Sequence, residues 1–254
     1  YKVNRDKPMI LKPMSEINAR LYDFKLKDDS DYYNELYKKR FNQTYGNRTF
    51  DNQLDFAKDT QSVEVIFSPS VLTGFSGEDK VFPAIYKMDD NTLKKTAMAH
   101  NIRIMQIKSI SHVHTWDILI NNNESLGTNG RYLYAGHFNN PDYPTLDINW
   151  GATKQLFFNL TTGSLQNNLF NNFYSPYMAE IIDKDSRLLT CEMKLSEIDI
   201  FNLDFSRFKM IDGVLFRLMK ISDWSEGNLC KVDLLRVINT TYFAQPVEEI
   251  NAFI

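Results

Sequence analysis

Two histidines one residue apart are the first candidates for chemistry in this chain. In an extended strand, His112 and His114 would point to the same side, where both imidazoles could bind one metal ion. His100 and His137 could supply further ligands. The chain contains only 4 histidines and has neither a CxxC nor an HExxH pattern. We therefore expect no metal site and no cofactor, and we interpret His112 and His114 as ordinary strand residues beside Trp116.

Scattered carboxylates are the second candidates. Two of them about 5–10 Å apart could hydrolyse a glycosidic bond, but aspartates in such positions more often stabilise turns. The chain also lacks a G-x-S-x-G nucleophile elbow, a P-loop and a G-x-G-x-x-G pattern, and neither Cys191 nor Cys230 has an adjacent base. We therefore expect no enzymatic activity, with a carboxylate-pair hydrolase as the least favoured alternative. The carboxylates in question are Asp142, Asp147, Asp183, Asp185, Glu192, Asp199 and Asp204.

Aromatic residues are abundant, with 18 Phe, 13 Tyr and 3 Trp. Trp116, Trp150 and Trp224 could form platforms on which sugar rings stack. Aromatic side chains of β-rich proteins lie more often in a core or a protein interface. The sequence leaves a carbohydrate- or receptor-binding β module as the alternative to a purely structural role.

Length, charge and hydropathy exclude several classes of protein. A chain of 254 residues can bury a large core without a disulfide or metal staple, and its 2 cysteines suit reduced core thiols. A net charge of −3 argues against binding nucleic acid by bulk charge. No apolar run is long enough for a membrane anchor, and no signal peptide is visible. Because residue 1 is Tyr, we expect the chain to be a trimmed protein or part of a longer one.

The elements that would position these residues are mainly strands. Residues 32–41 and 165–183 show helical spacing of apolar residues, with Pro176 expected to kink the second helix or shift its boundary. Strands flank Asp212-Gly213, a strong two-residue hairpin signal. The predicted fold class is α+β, mainly β, with antiparallel β-barrel-like modules and a few short helices.

Three consecutive parts are predicted along the chain. Residues 1–60 form an N-terminal arm with a short helix. Residues 61–164 form a β-rich domain with a turn-rich loop at 127–130 and a long irregular loop at 135–153. Residues 165–254 form a helix followed by an antiparallel β meander, a hub- or barrel-like module.

Residues 61–238 resemble tail-region virion proteins of phages that infect Bacteroidetes-type hosts. The order and spacing of several short segments carry this resemblance, while each segment alone is weak. The segments are YAGHF (134–138), PTLDINWG (144–151), NLFNNFY (168–174), DKDSRLLT (183–190), DIFNLDF (199–205), IDGVLFRLMKI (211–221) and KVDLL (231–235).

The resemblance implies a non-enzymatic structural component of a phage baseplate or tail hub. It implies a ring of three or six copies in which strands of neighbouring copies join around the DNA conduit, with other tail proteins as further partners. DNA would only pass through, and the protein would assemble in the host cytoplasm and reside in the virion tail. The expected contact residues lie in the 135–153 loop and the D-G hairpin: His137, Phe138, Trp150, Asp212 and Gly213.

Overall fold

A computed structural model describes most of the chain. It covers residues 2–55, 57–74, 80–99, 101–120, 124–160, 165–238, 247–249 and 251–252, with side chains throughout except at 112–120, 124–129, 247–249 and 251–252. Strands hold 36% of the residues and helices 15%. The prediction of a mainly β, α+β fold with a few short helices is confirmed, and its antiparallel sheets include a half-barrel.

The regular elements are mostly short. The helices are α1 (Tyr32–Phe41), α2 (Ser175–Ile182) and α3 (Glu197–Phe201), with a 3-10 turn at Met14–Glu16 and a π-helical turn at Phe170–Tyr174. The strands are β1 (Lys2–Val3), β2 (Ile10–Pro13), β3 (Leu21–Lys25), β4 (Arg48–Asp51), β5 (Thr60–Glu64), β6 (Leu72–Gly74), β7 (Val81–Pro83), β8 (Lys87–Met88), β9 (Lys95–Thr96), β10 (Gln106–Ile120), β11 (Glu124–Gly136), β12 (Arg187–Lys194), β13 (Phe208–Ile211), β14 (Val214–Ser222), β15 (Leu229–Arg236), β16 (Val247–Glu249) and β17 (Asn251–Ala252).

The chain divides into two compact units that are interleaved along the sequence. Unit 1 contains Tyr1–Arg20, Asn52–Asp59 and Ser175–Ile254, and unit 2 contains Leu21–Asp51 and Thr60–Tyr174. This division differs from the three consecutive parts expected from the sequence. The reason is long-range pairing, because the N-terminal strands add to a sheet that is otherwise formed by the last third of the chain.

Unit 1 is built on an eight-stranded sheet in the order β16-β13-β14-β15-β12-β1-β17, with β2 also pairing with β12. Strand β12 shows the alternation expected of a sheet with one buried face, since Leu189, Cys191 and Met193 all enter the core. The D-G hairpin is confirmed between β13 and β14. Asp212 (φ 51°) and Gly213 (φ 77°) both adopt the positive φ that a tight hairpin turn of this type requires.

Unit 2 contains several small sheets and one helix. The sheets are β4-β3-β5, β6-β7, β8-β9 and β10-β11. The predicted helix at 32–41 is confirmed as α1. Its start is fixed by the Asp31 side chain, which accepts a hydrogen bond from the Asn34 backbone N–H at 3.2 Å, and its end by Asn42 in the left-handed conformation.

The second predicted helix is shorter than expected and changes type. Residues 170–174 form the π-helical turn, and α2 begins at Ser175. Pro176 lies in the first turn of α2, where it has no N–H to donate to the preceding turn. The interruption expected at Pro176 is therefore seen as a switch from π to α geometry.

Candidate functional site

The longest element of the structure is a two-stranded hairpin, β10–β11, which we call the arm (residues 106–136). Its strands contain 15 and 13 residues, against a usual length of about 5–6. At roughly 3.4 Å per residue the arm is on the order of 45 Å long. The strands pair with each other, and no other strand of the described chain pairs with either of them.

Strand pairing continues through a segment expected to be a loop. Residues 127–130 were predicted as a turn from their Gly, Thr and Asn content, but they lie inside β11. Asp117 pairs with Thr128, and Trp116 pairs with Asn129. Two register shifts, between Ser111 and Trp116 and between Asp117 and Leu119, accommodate these residues. Cross-strand pairing has thus overridden the local turn preference.

The root of the arm has one buried and one exposed face. Ile110, Tyr132 and Tyr134 pack with Leu72, Val81 and Phe138 in a hydrophobic cluster. The Tyr134 hydroxyl donates to the Phe138 carbonyl at 3.0 Å. On the other face Ile107 and Leu133 are 74% and 76% exposed. Unit 2 therefore holds the root of the arm rigidly while leaving large aliphatic side chains in solvent.

An ion-pair cluster fixes the chain immediately before the arm. Arg103 Nη2 lies 2.5 Å from Asp29 Oδ2 and 2.8 Å from Asp31 Oδ2, and all three side chains are buried. Arg103 also donates to the Pro69 carbonyl. The backbone around Arg103 forms a parallel bridge with Ser68. Sequence patterns could not reveal this cluster, because Arg103 lies 72 residues from Asp31.

A buried hydrogen-bond chain fixes the segment that follows the arm. The Asp147 carboxylate accepts from His137 Nδ1 at 2.9 Å, and His137 Nε2 lies 3.1 Å from the Tyr45 hydroxyl. In the tautomer with the proton on Nδ1, His137 donates to Asp147 and Nε2 accepts from the Tyr45 hydroxyl, while Asn149 Nδ2 also lies 3.2 Å from Nδ1. Asp147 also accepts from the Asn149 backbone N–H at 3.0 Å. Burial raises the pKa of the Tyr45 phenol, which keeps it protonated as a donor.

This Tyr45–His137–Asp147 chain has the residue types of a proton relay, but it is sealed from solvent. The three residues are 0%, 1% and 5% exposed. A substrate could not reach any of their polar atoms in this conformation, so the arrangement stabilises the loop rather than performing chemistry.

The five predicted contact residues lie in different environments. His137, Phe138 and Trp150 are inside unit 2, where the Trp150 ring packs 5.2 Å from Phe24. The loop expected at 135–153 begins at residue 137, directly after β11 ends. Its buried side chains hold it in unit 2. Asp212 and Gly213 lie on the surface of unit 1, and both Asp212 oxygens accept from Arg5. A contact role for these residues stays a prediction.

The burial of Trp150 also bears on the carbohydrate-binding alternative. Its indole is 3% exposed and cannot act as a stacking platform in this fold. Trp224 is partly buried and donates from Nε1 to the Leu195 carbonyl at 3.1 Å. The side chain of Trp116 lies outside the described side chains.

Several of the carboxylates singled out in the sequence have structural partners. Asp199 completes a capping box with Ser196 at the start of α3. Glu192 forms an ion pair with Lys7 at 2.8 Å. Asp204 accepts from the Ser206 backbone N–H at 2.8 Å. These contacts are typical of caps, turns and surface ion pairs.

The two cysteines are buried and free, as expected. Burial raises the pKa of the Cys191 thiol to about 11, so the reactive thiolate is scarce near neutral pH. The described part of the chain contains no group of three His, Cys, Asp or Glu residues placed to hold a metal ion. The side chains of His112 and His114, and all of His100, lie outside the described part.

Comparisons with known proteins found no matching family model, no matching curated protein and no matching solved structure. No helix among the described residues is long and apolar enough to cross a membrane.

Proposed function

We propose that this protein is a non-enzymatic structural subunit of a phage tail, in the baseplate or hub region, that assembles with further copies of itself around the DNA conduit. The observation that carries the proposal is the arm, a two-stranded ribbon with both outer edges unpaired within the described chain. The resemblance of residues 61–238 to tail-region virion proteins supplies the biological setting.

The physical argument starts from the stability of such a ribbon. An isolated two-stranded hairpin is at best marginally stable in water. Unpaired strand edges of this length are also templates for pairing with another chain. Ribbons of neighbouring copies placed edge to edge would satisfy the backbone groups of every strand and form a continuous β wall.

The root of the arm supports the same function. A ribbon that joins copies must project at a fixed angle, and the buried tyrosines at its root and the Arg103 cluster just before it in the chain provide this. Ile107 and Leu133 on the exposed face would then form part of one surface of this β wall. In this setting the protein would be assembled in the host cytoplasm and carried in the virion tail, with DNA only passing through.

Shortening the arm tests the proposal. Residues 112–130 are replaced by a two-residue Asn-Gly turn that joins Ser111 directly to its partner Arg131. We expect a folded protein whose self-association is strongly weakened, because the buried root remains while most of the free strand edges are removed. Circular dichroism reports the fold and analytical ultracentrifugation the assembly.

Virion composition gives the second readout. Mass spectrometry of purified particles should detect the protein among the tail components. A chain that stays monomeric at all concentrations and is absent from particles would refute the proposal.

A further inference from the structure

Residues 2–13, which we call the strap, lie along one edge of β12 and contribute both β1 and β2 to the sheet of unit 1. Strand β1 pairs with the end of β12 and β2 with its start, while β15 occupies the opposite edge of β12. Between β1 and β2, residues 4–9 of the strap span only residues 191 and 192 of β12. The strap is therefore one added edge strand with a six-residue excursion in its middle.

Few side chains of the strap enter the core of unit 1. Of residues 2–13, all of which the structure describes, only Val3 is fully buried, and Met9 is partly buried against the same core. Ile10 and Leu11 are 51% and 56% exposed, although they point to opposite sides of β2. The strap is thus held mainly by backbone hydrogen bonds to β12, with little burial of apolar side chains.

Two ion pairs specify where the strap lies. The Arg5 guanidinium donates to both carboxylate oxygens of Asp212, at 2.8 and 2.5 Å. The Lys7 ammonium lies 2.8 Å from Glu192 Oε1. These four side chains are 30–60% exposed, and ion pairs at such positions contribute little stability. Their effect is complementarity, because a basic strand lies on an acidic edge formed by β12 and the D-G hairpin.

The chain immediately after the strap is fixed much more firmly. Met14 is buried, and its backbone N–H donates to the Ser186 carbonyl at 3.1 Å. The buried Asn18 side chain donates from Nδ2 to the Ile181 carbonyl at 2.6 Å. The change from a loosely held to a fixed chain therefore falls at Pro13, which is extended with φ −65° and ψ 138°. Residues 13 and 14 are the hinge about which the strap would swing.

We propose that copies of this protein exchange their straps, so that residues 2–13 of one copy lie on β12 of a second copy. An exchanged strap makes the same contacts that it makes within its own chain, so exchange needs no new interface. Complementarity is already present in the single chain, and the pairs Arg5–Asp212 and Lys7–Glu192 then join two copies. Asp212, one of the contact residues expected from the sequence, would lie at this junction.

Exchange gives every copy one strap to donate and one β12 edge to receive a strap. Such a contact joins two different surfaces, and contacts of this kind generate rings when the rotation closes. The inference goes beyond the proposed function by naming a second link between copies that does not involve the arm. It rests on the proposed function only insofar as the ring belongs to a phage tail.

Disulfide formation between two single variants tests the exchange. Lys12 and Leu188 are direct partners across β2 and β12. Lys12→Cys and Leu188→Cys are prepared separately, mixed at high protein concentration and oxidised with glutathione disulfide, and the two native thiols are buried. Each chain carries only one of the two new cysteines, so a disulfide between positions 12 and 188 requires the strap of one copy on β12 of another. We expect this disulfide, identified by mass spectrometry of the linked peptides.

The register of β12 provides the matched control. Lys194 lies at the other end of β12 and pairs with Lys2, so Lys12→Cys mixed with Lys194→Cys should form no link. Ile10→Cys with Thr190→Cys repeats the test at a second directly paired position, for use if Leu188→Cys does not fold. Absence of both expected disulfides, or equal linking of position 12 to positions 188 and 194, would overturn the inference.

The rate of exchange gives an independent readout. Because the closed and exchanged forms share the same contacts, weakening a contact should speed exchange without changing the final fraction of exchanged chains. Val3→Ala removes buried methyl groups and should raise the rate about tenfold. Arg5→Ala removes only an exposed ion pair and should raise the rate by no more than about fivefold. If Val3→Ala leaves the rate of disulfide formation unchanged, the cysteines meet by collision of closed copies and the inference fails.

Locking the strap separates this inference from the proposed function. A full chain carrying both Lys12→Cys and Leu188→Cys is oxidised at high dilution, which closes the disulfide within one copy. We expect the locked chain to self-associate at least about tenfold more weakly than its reduced form, because two links per neighbour act together. Equal association of the two forms would refute exchange while assembly through the arm stands. Exchange in a protein that is absent from virions would leave the inference standing and refute the phage function.

Discussion

At the scale of single residues, a guanidinium held between two buried carboxylates accounts for the path of the chain into the arm. Replacing Arg103 by Met would leave Asp29 and Asp31 buried without a cation. Breaking a buried pair in this way costs about 3–5 kcal/mol. We expect a decrease of that size in the free energy of unfolding, measured by urea denaturation.

Two matched variants check that explanation. Lys38 pairs with Asp28 at the surface, so Lys38→Ala should cost less than about 1 kcal/mol. Adding Asp29→Asn and Asp31→Asn to Arg103→Met should recover much of the loss, since asparagine is also a good helix cap and no buried charge remains. A stability loss in Arg103→Met no larger than that of Lys38→Ala would contradict the role assigned to the cluster.

The two thiols provide a second residue-scale prediction. Because burial raises the pKa of Cys191 to about 11, this side chain stays a protonated thiol at pH 8 and reacts slowly. Cys230 is buried as well, and its pKa is also raised by burial. We expect labelling by a thiol-specific disulfide reagent to be negligible in the folded protein at pH 8 and complete in denaturant. Rapid labelling of the folded protein would contradict the burial of the two thiols.

At the scale of elements, two glycines of β11 provide an internal comparison. A Cβ at Gly136 would collide with the Tyr134 hydroxyl and approach Leu72 Cδ2 to 2.7 Å, whereas nothing lies within 4 Å of a Cβ at Gly130. We expect Gly136→Ala to destabilise the root of the arm by about 1–3 kcal/mol through overpacking. Gly130→Ala should be neutral or slightly stabilising. Hydrogen exchange of the β10 amides would localise the effect, and equal behaviour of both variants would contradict it.

How well the sequence predicted an element depended on whether local signals determined it. Helix α1 and the D-G hairpin were correct because a cap and a turn dipeptide specify them. Strand β10 is only partly recognisable from the sequence: the alternation at 101–108 and the apolar run at 116–120 indicate two separate strands, but one strand runs from Gln106 to Ile120. Pairing with β11 joins them, and the 101–105 segment is fixed by the Arg103 cluster. Contacts between residues far apart in sequence left no periodic pattern to detect.

The same distinction applies to the candidate site. The contact residues expected with the resemblance lie in the loop after the arm and in the D-G turn, while the turn-like composition of residues 127–130 hid the arm itself. Exposed aliphatic residues such as Leu133 are recognisable as surface residues only once the register of β11 is known. Helix α3 is recognisable in part, because Ser196 and Asp199 have the spacing of a capping box.

At the scale of the whole molecule, the strand count of the arm limits how many copies can line a DNA conduit. With strands about 4.8 Å apart and tilted by about 40°, each strand occupies about 6.3 Å of the circumference. Six copies supply twelve arm strands, which close at a diameter of about 24 Å between backbones. Subtracting about 5 Å of side chain on each side leaves an opening about 14 Å wide. This opening is narrower than a DNA duplex, which is about 20 Å across.

The number of copies therefore discriminates between two roles of the arm. Twelve copies would give twenty-four strands and an opening of about 38 Å by the same arithmetic, wide enough for duplex DNA. If the arms alone line the conduit, we expect a ring of about twelve copies in electron micrographs of the purified assembly. A ring of three or six copies would mean that the arms pack outside the channel or that other strands complete the wall. The arm-shortened protein is the control. If it still forms a ring of the same symmetry, that ring must be held by contacts of unit 1 or of the rest of unit 2.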